Sequence, residues 1–361
     1  MHGVNPVCAW TLTLVSIAAP QAAVGAKLPE FPANAVWSRD VSQAPLNPDS
    51  ASLIDATGGW GNGNRFQIDQ SMHVVHVAPD VTNPAMVDVV AGAGGYYTPD
   101  CESLAGLRFP LPAGGAIEGE SGYSCSGGDC HLLVEVDATH TLYESYASNL
   151  NSSGELESSC VVIWDLDKVY PPQGRGEQCT SADAAGFPVA PLLFNADEVY
   201  AASQSATGNI GHAIRFILPN ASMAAGVYVH PASHAGSPSG TSGKLAYGSR
   251  LRLKASFDID GFTTNTAARV ILRTMKRYGI VLADGGNIAL TAEDDMFTTH
   301  KWSEFGFDED NVYLEQMLVG VRLSDFEVVE TGPRIPLTYD CDSNGNHLVP
   351  EDFIFIDPFD Y

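Results

Sequence analysis

The sequence predicts a mainly β fold, with a β-sandwich or jelly-roll-like core and a few short helices. Many short segments alternate between apolar and polar residues with a period of two, which is typical of strands with one buried face. The chain has 361 residues, among them 35 Gly and 22 Pro, so turns are frequent and long helices are few. Short strands separated by frequent turns favour a sandwich or a jelly roll over a helical bundle.

The clearest elements lie just after the middle of the chain. Segment 250–259 alternates strictly and predicts a strand, and segment 212–219 is a second strand that is apolar at nearly every position, so we expect both of its faces to be covered. Segment 266–278 changes to a helical period, with Asn265 or Thr266 as the N-cap and Gly279 as the stop.

Positive charge is concentrated in this same region. Eight of the 18 Lys and Arg residues lie between Lys244 and Arg277, although the net charge of the chain is −25. These cations either pair with carboxylates elsewhere or form a surface that attracts an anionic ligand. The strongly negative total argues against nucleic acid as a partner, because phosphate binding requires a basic surface.

The N-terminus has the features of a secretory signal. An apolar run from Val7 to Ala19 precedes the small residues Val24 and Ala26, which suit a cleavage site, although the region before the run lacks Lys and Arg. The run is too short to span a bilayer, and no later segment is long enough. We therefore expect a signal peptide at 1–26, no membrane span, and a secreted (extracellular or periplasmic) protein.

Seven cysteines are present, and Cys8 lies in the expected signal peptide. An even number after cleavage suits three disulfides, for which 15 pairings are possible. Cys125 and Cys130 are close enough to close a small loop. The remaining cysteines are Cys101, Cys160, Cys179 and Cys341.

A polar region precedes and includes a predicted hairpin. Segments 131–137 and 141–147 both alternate and are joined by a short turn, so we expect an antiparallel pair. His131 then lies on the polar face of the first strand, and Glu144 comes near that strand. Glu120 lies in a turn-rich segment just upstream.

The C-terminal segment contains a calcium-loop pattern. Residues 340–351 read DCDSNGNHLVPE and match D-x-[DN]-x-[DN]-G-x5-E. His347 and Pro350 depart from the usual residues, and a solvated acidic turn is the alternative. We expect a structural Ca²⁺ that ties down the C-terminus. The expected ligands are Asp340, Asp342, Asn344 and Glu351.

These patterns divide the chain into a signal peptide (1–26), a single β-rich domain (27–335) and a tail with the calcium loop (336–361). The tail resembles the half EF-hands of dockerin-type domains. Segment 37–332 resembles an uncharacterised group of secreted bacterial proteins, which implies one structural unit and no particular activity. The matching phrases are IEGE, HLLVEVD, LYE, TSADAAGFPVAP, GHAIRFILP, YGSRLRLKASFDI, ARVILRTMKRYGIVLADGG and DFEVVETG.

The motifs of several enzyme classes are missing from the sequence. It has no nucleophile elbow, no HExxH helix, no phosphate loop and no dinucleotide fingerprint. Acids, histidines and cations on predicted strand faces and turns remain as candidates, although each also has a purely structural explanation. The catalytic candidates are Glu120, His131, Glu144 and Asp284, and the substrate-binding candidates are His212, His234, Arg252 and Lys254.

Three functions fit these candidates. Two carboxylates across a groove predict a glycoside hydrolase acting on an extracellular polysaccharide, which is our leading hypothesis. A His or Lys beside an Arg predicts instead a polysaccharide lyase that acts on a uronate. The composition fits a non-catalytic glycan-binding or surface protein equally well. His131, His212 and His234 could also form a metal site, although their spacing is weak evidence.

Overall fold

The mainly β class with a few short helices is confirmed by a computed structural model, which describes residues 27–81, 83–306 and 318–341. The strands are β1 (Ile68–Met72), β2 (Val74–Val77), β3 (Met86–Ala91), β4 (Arg108–Pro110), β5 (Leu132–Val136), β6 (Thr141–Tyr146), β7 (Asn149–Leu150), β8 (Leu156–Ser158), β9 (Cys160–Asp165), β10 (Ile214–Leu218), β11 (Met223–Tyr228), β12 (Leu245–Tyr247), β13 (Arg250–Leu253), β14 (Ile280–Gly285), β15 (Leu290–Glu293), β16 (Phe326–Val328) and β17 (Ile335–Pro336).

The helices are short. The α-helices are α1 (Ser50–Thr57), α2 (Gly61–Asn64), α3 (Ala196–Ser203), α4 (Ile259–Phe262) and α5 (Thr266–Arg277). Short 3-10 turns occur at Val36–Ser38, Asp137–Thr139, Ala190–Leu192, Asn220–Ser222, Trp302–Phe305 and Leu323–Asp325.

The strands form four sheets within the described ranges. The largest has the order β1-β15-β10-β14-β13-β16, and the others are β2-β5-β6-β9, β4-β3-β8-β7 and β12-β11-β17. Parallel pairs occur in the six-stranded sheet, where β1 pairs with β15 and β10 with β14, while β13 is antiparallel to β14. Because parallel neighbours need a crossover connection, this sheet brings together segments that are far apart in the sequence.

The strand predicted over 250–259 is shorter than expected. It ends at Leu253, because the chain then turns and the backbone N–H of Phe257 donates to Lys254 O. The side chain of Asp258 accepts a hydrogen bond from the N–H of Gly261 and caps α4. All four side chains of 250–253 are buried, so both faces of this strand are covered. The alternation of polar and apolar residues therefore does not mark an exposed face here.

The predicted helix over 266–278 is confirmed as α5. The Asn265 side chain accepts from the N–H of Ala268 and caps its start. Gly279 follows with φ 73°, and a Cβ at this position would lie 2.4 Å from Leu251 O. A residue without a side chain is therefore needed where the helix meets the sheet.

The apolar residues form two clusters. The larger one includes Val270 and Ile271 of α5 and Ile214 and Phe216 of the six-stranded sheet. The smaller one lies around the two four-stranded sheets and includes Val75, Val134, Val161, Phe109 and Leu156. The polar residues described next lie between these two cores.

The prediction of three disulfides is confirmed. The pairs are Cys101–Cys160, Cys125–Cys130 and Cys179–Cys341, and the second closes the small loop expected from the sequence. The third joins the start of the C-terminal tail to the body. No helix in the three described ranges is long and apolar enough to cross a membrane. The expected signal peptide at 1–26 and most of the calcium loop, from Asp342 onward, lie outside these ranges.

Candidate functional site

A polar cavity of about 770 Å³, here called the central cleft, opens between the six-stranded sheet and the loops around β5. Its charged lining residues are Asp69, Asp100, Glu118, Asp129, His131, Arg215, His234 and Asp284. Its aromatic lining residues are Tyr96, Tyr97, Tyr146 and Tyr339. Of the cavities in the described part of the chain, we consider this the best candidate site because charged and aromatic groups converge in it.

One face of the six-stranded sheet forms part of the cleft lining. In β10, Ile214, Phe216 and Leu218 belong to the larger apolar cluster, whereas Arg215 and Ile217 alternate with them and line the cleft. Adjacent strands add polar groups to the same cavity. Asp69 lies on β1, Thr291 on β15 and Asp284 on β14.

Glu118 and His131 form an ion pair in the cleft. Glu118 Oε2 lies 2.7 Å from His131 Nδ1 and also accepts the backbone N–H of His131 at 3.0 Å. The other ring nitrogen, Nε2, faces Ala182 O at 3.0 Å, so both ring nitrogens face acceptors and the ring is an imidazolium. Burial opposes this charge, but Glu118 outweighs it and raises the pKa of His131 to about 9. Burial alone would raise the pKa of the Glu118 carboxyl, but His131 outweighs burial and lowers this pKa below its usual value.

Asp69 has the opposite electrostatic environment to Glu118. Burial is the main cause that raises the pKa of the Asp69 carboxyl, and the negative charge of Glu118 adds to it. The two carboxylates are connected through one residue: the backbone N–H of Ser71 donates to Asp69 Oδ1, and the Ser71 hydroxyl donates to Glu118 Oε1, both at 3.1 Å. A carboxyl whose pKa is raised therefore lies close to one whose pKa is lowered.

Arg215 is held in place by its partners. Its Nη2 lies 2.6 Å and its Nε 3.1 Å from Asp183 Oδ2, and its Nη1 donates to Thr291 Oγ1 at 2.8 Å. Burial opposes the charge of Arg215, but Asp183 and Asp284 outweigh it and raise the pKa of the guanidinium. The carboxylate of Asp183 thus largely neutralises this cation.

Tyrosines line the opening. Tyr97 and Tyr339 are 43% and 64% exposed, and the rings of Tyr97 and Tyr146 are stacked with centroids 6.3 Å apart. The ring of Tyr339 packs edge-on against His234 at 5.5 Å. Exposed aromatic rings beside charged groups give a surface on which the apolar face of a sugar can stack.

Three of the eight residues predicted for the active site or substrate binding line this cleft. They are His131, His234 and Asp284. His234 Nδ1 lies 2.9 Å from Ala184 O, and burial lowers the pKa of His234, so its ring tends to be neutral. Of the three histidines considered for a metal site, His131 and His234 line the cleft, whereas His212 lines a different cavity.

The other two catalytic candidates do not line the cleft. Glu120 Oε1 accepts the backbone N–H of Ser126 at 2.6 Å within the turn. Glu144 is completely buried: its Oε2 accepts from Trp164 Nε1, and its Oε1 accepts from the backbone N–H groups of Val189 and Ala190, each at 2.8 Å. These contacts give Glu144 a structural role. It joins β6 to β9 and to the 3-10 turn Ala190–Leu192.

The remaining substrate-binding candidates also lie elsewhere. His212 is buried, with Nδ1 2.8 Å from Ala213 O. Arg252 is paired with Glu327 and donates to the backbone carbonyls of Val41 and Ala44. Lys254 Nζ donates to Ser324 O at 2.7 Å and borders a second cavity of about 740 Å³. The cation-rich region was expected either to pair with carboxylates of the protein or to attract an anionic ligand. For Arg252, the pair with Glu327 supports the first explanation.

Sequence reasoning missed several residues of the cleft. Arg215 carried a signal, because it is the only charged residue within an otherwise apolar strand, and a buried charge requires a partner. Glu118 was seen in the same turn as Glu120, but only the pairing of its backbone N–H with His131 O at 2.9 Å shows which acid turns inward. For Asp69 and Asp129 we find no sequence signal that separates them from other acids.

Comparisons with family models, with curated proteins and with solved structures gave no match for this chain. The resemblances described from the sequence therefore remain predictions, and the function has to be argued from the cleft itself.

Proposed function

We propose that this protein is a secreted glycoside hydrolase that cleaves a neutral extracellular polysaccharide in the central cleft. The observation that carries the proposal is the pair Asp69 and Glu118, two nearby carboxyls in one cavity whose pKa values shift in opposite directions. Glycoside hydrolysis requires one protonated and one ionised carboxyl, and such opposite shifts assign the two roles.

Asp69 is the proposed general acid and Glu118 the proposed base or nucleophile. Asp69 protonates the glycosidic oxygen as its bond to the anomeric carbon breaks, and the negative charge of Glu118 stabilises the developing oxocarbenium ion. A water molecule then forms the new bond to this carbon. It gives its proton to Glu118 in an inverting enzyme, or to Asp69 after a covalent glycosyl–Glu118 intermediate in a retaining one. Since both carboxyls bond to Ser71 at 3.1 Å, they lie no more than roughly 10 Å apart, which is close to the upper limit for such enzymes. His131 keeps Glu118 ionised and oriented, and so acts as a positioning residue.

The charge of the cleft favours a hydrolase over a lyase. β-Elimination on a uronate needs a cation that neutralises the substrate carboxylate. Here Arg215 is already paired with Asp183, and His131 with Glu118. The carboxylates that line the cleft repel an anionic sugar at short range. They are Asp100, Glu118, Asp129 and Asp284.

A non-catalytic glycan-binding protein is the second candidate, and the position of the tyrosines bears on it. Among the described residues, Tyr97, Tyr200 and Tyr339 are exposed. Tyr97 and Tyr339 border the cleft, whereas Tyr200 stacks on His300. Exposed aromatic rings next to the carboxyl pair favour a glycan that is both held and cleaved there.

Secretion and calcium binding are part of the proposal. Three disulfides support an oxidising compartment, in agreement with the signal-like segment 1–26. The disulfide Cys179–Cys341 attaches the second residue of the predicted calcium loop to the β-rich domain. A Ca²⁺ ion bound by this loop would therefore be held next to that domain. Calorimetric titration with Ca²⁺, with Asp342→Ala as the comparison, tests this point.

The test of the hydrolase is a survey of polysaccharides with the mature chain. Reducing ends are measured together with the ultraviolet absorbance of unsaturated products. We expect reducing ends without unsaturated products, and a loss of about 10²- to 10⁴-fold in Asp69→Asn. The matched control is Asp88→Asn, which should keep full activity because Asp88 is a 75% exposed carboxylate on β3 that pairs with Arg108 on the surface.

Other results would identify the alternatives. Unsaturated products would indicate a lyase. In another result, a glycan binds without forming new reducing ends, and with the same affinity for the wild-type chain and Asp69→Asn. That result would indicate a binding protein. A full loss in Asp284→Asn with Glu118→Gln still active would move the role of base or nucleophile from Glu118 to Asp284.

A further inference from the structure

A second group of ionisable residues lies on a different sheet from the acids of the six-stranded sheet and lines no part of the central cleft. His76 on β2 and Glu135 on the parallel strand β5 are directly paired in register, and Asp137 begins the 3-10 turn that follows β5. His76 Nδ1 lies 3.4 Å from Glu135 Oε2 and 3.1 Å from Asp137 Oδ1. One ligand atom from each of the three residues lies within 4.8 Å of the other two.

The distance of 3.1 Å between His76 Nδ1 and Asp137 Oδ1 is that of a hydrogen bond, but both distances from this nitrogen also fit ligands of one metal ion. Charge-assisted hydrogen bonds from nitrogen to a carboxylate are about 2.7 to 2.9 Å long, as in the pair His131–Glu118 at 2.7 Å. A Zn²⁺ ion holds nitrogen and oxygen ligands at about 2.0 to 2.2 Å, which places two tetrahedral ligands roughly 3.4 Å apart. Both distances from His76 Nδ1 are close to that value.

The surroundings of the cluster also favour a cation. The side chains of His76, Glu135 and Asp137 are 9%, 13% and 27% exposed, so the site is sheltered but reachable. The charged groups that act on Glu135 are His76, Asp137, His140 and Glu30. His140 is itself paired with Asp167. The group thus has more carboxyl groups than histidines.

One proton on His76 Nδ1 cannot form a strong hydrogen bond to Glu135 and to Asp137 at the same time. When His76 Nδ1 carries a proton, it can direct a short bond to one of the two carboxylates at a time. A divalent ion accepts an electron pair from all three groups at once. One histidine and two carboxylates form a nitrogen–oxygen ligand set that suits Zn²⁺ and similar first-row divalent ions.

We propose that His76, Glu135 and Asp137 form a Zn²⁺ site with three protein ligands and a fourth position open to water. The ion joins the edge strand β2 to the end of β5 and to the turn that follows it. Its main effect is on stability, because any ligand that binds only the folded chain stabilises it. The site is independent of the proposed hydrolase, since neither its residues nor its test involve the cleft.

The experiment titrates the untagged mature chain, stripped of metal, with Zn²⁺ and separately with Co²⁺ as a spectroscopic probe. Excess Ca²⁺ is present throughout to fill the predicted C-terminal loop. We expect one equivalent of Zn²⁺ to bind, a visible Co²⁺ absorption band typical of low coordination, and a higher Tm. His76→Gln and Asp137→Asn should each weaken Zn²⁺ binding at least 10-fold and remove the Tm increase.

Two features keep the test decisive. Asp137 lies in a partly exposed turn, so Asp137→Asn should fold even if His76→Gln does not, and circular dichroism checks both variants. The matched control is His300→Gln, whose Nδ1 faces one carboxylate, Glu304, at 3.0 Å on the surface. No uptake of Zn²⁺ by the wild-type chain, or uptake that is equal in Asp137→Asn and His300→Gln, would overturn the proposal.

Discussion

Glu118 Oε2 and His131 Nδ1 lie 2.7 Å apart in the central cleft, in a pair that joins the turn before the small loop Cys125–Cys130 to the start of β5. Each partner shifts the pKa of the other in favour of its charged form. The same contact therefore contributes to the electrostatics of the proposed active site and to the pH dependence of folding.

We first predict a loss of stability at alkaline pH that depends on His131. The pKa of this ring is about 9 in the folded chain and about 6.5 when unfolded, so its contribution is complete below pH 6.5 and is lost as the pH rises through 9. We expect the wild-type chain to lose about 3 kcal/mol more than His131→Gln between pH 6 and pH 10, measured by urea unfolding.

The control for this experiment is His300→Gln, since His300 lies near the surface and pairs with the exposed carboxylate of Glu304. It should keep the pH dependence of the wild-type chain. Equal slopes for His131→Gln and the wild-type chain would show that the ion pair does not contribute.

We next predict that Glu144 acts in folding and not in binding. Replacing it with Ala leaves the indole N–H of Trp164 and the backbone N–H groups of Val189 and Ala190 buried without an acceptor. Glu144→Ala should lower the free energy of unfolding by about 3 kcal/mol or more, measured in urea. The exposed variant Asp167→Ala should change it by less than about 1 kcal/mol. A stable Glu144→Ala chain with altered glycan binding would contradict this role.

The disulfides should differ in their contribution according to loop length. Cys101–Cys160 spans 59 residues and Cys125–Cys130 spans 5. The entropy of loop closure predicts losses of about 4 and about 2 kcal/mol when each pair is replaced by Ala. Guanidinium unfolding of the two double variants checks the order. A larger loss for the short loop would mean that this loop has a further role in the folded chain.

The charge of the cleft predicts discrimination between glycans. For one polysaccharide in unmodified and carboxymethylated forms, we expect at least 10-fold lower kcat/KM for the anionic form at low salt. Added salt should reduce the difference because it screens the carboxylates. Asp129→Asn should reduce it too, since Asp129 lines the cleft. A preference for the anionic form would instead support the lyase.

Local patterns predicted much of the secondary structure. The cap at Asn265 and the stop at Gly279 bracket α5 as expected, and the segments around His131 and Glu144 form the antiparallel pair β5–β6. The strand predicted over 250–259 is too long, because the alternation continues past Leu253 into a turn. The polar positions of the strand are also not exposed. Arg250 and Arg252 are instead buried and donate to backbone carbonyls.

The mainly β class, the disulfide count and helix α5 were predictable, because periodicity, capping residues and cysteine number act over short distances or as simple totals. Which acids meet was not predictable, because it depends on how distant strands pair. The order β1-β15-β10-β14 places Asp69 and Arg215 along one cavity with Asp284 and Thr291, although both lie far from that pair in the chain. Such neighbours arise from crossover connections and from the packing of two cores, and these depend on long-range contacts that no local pattern encodes.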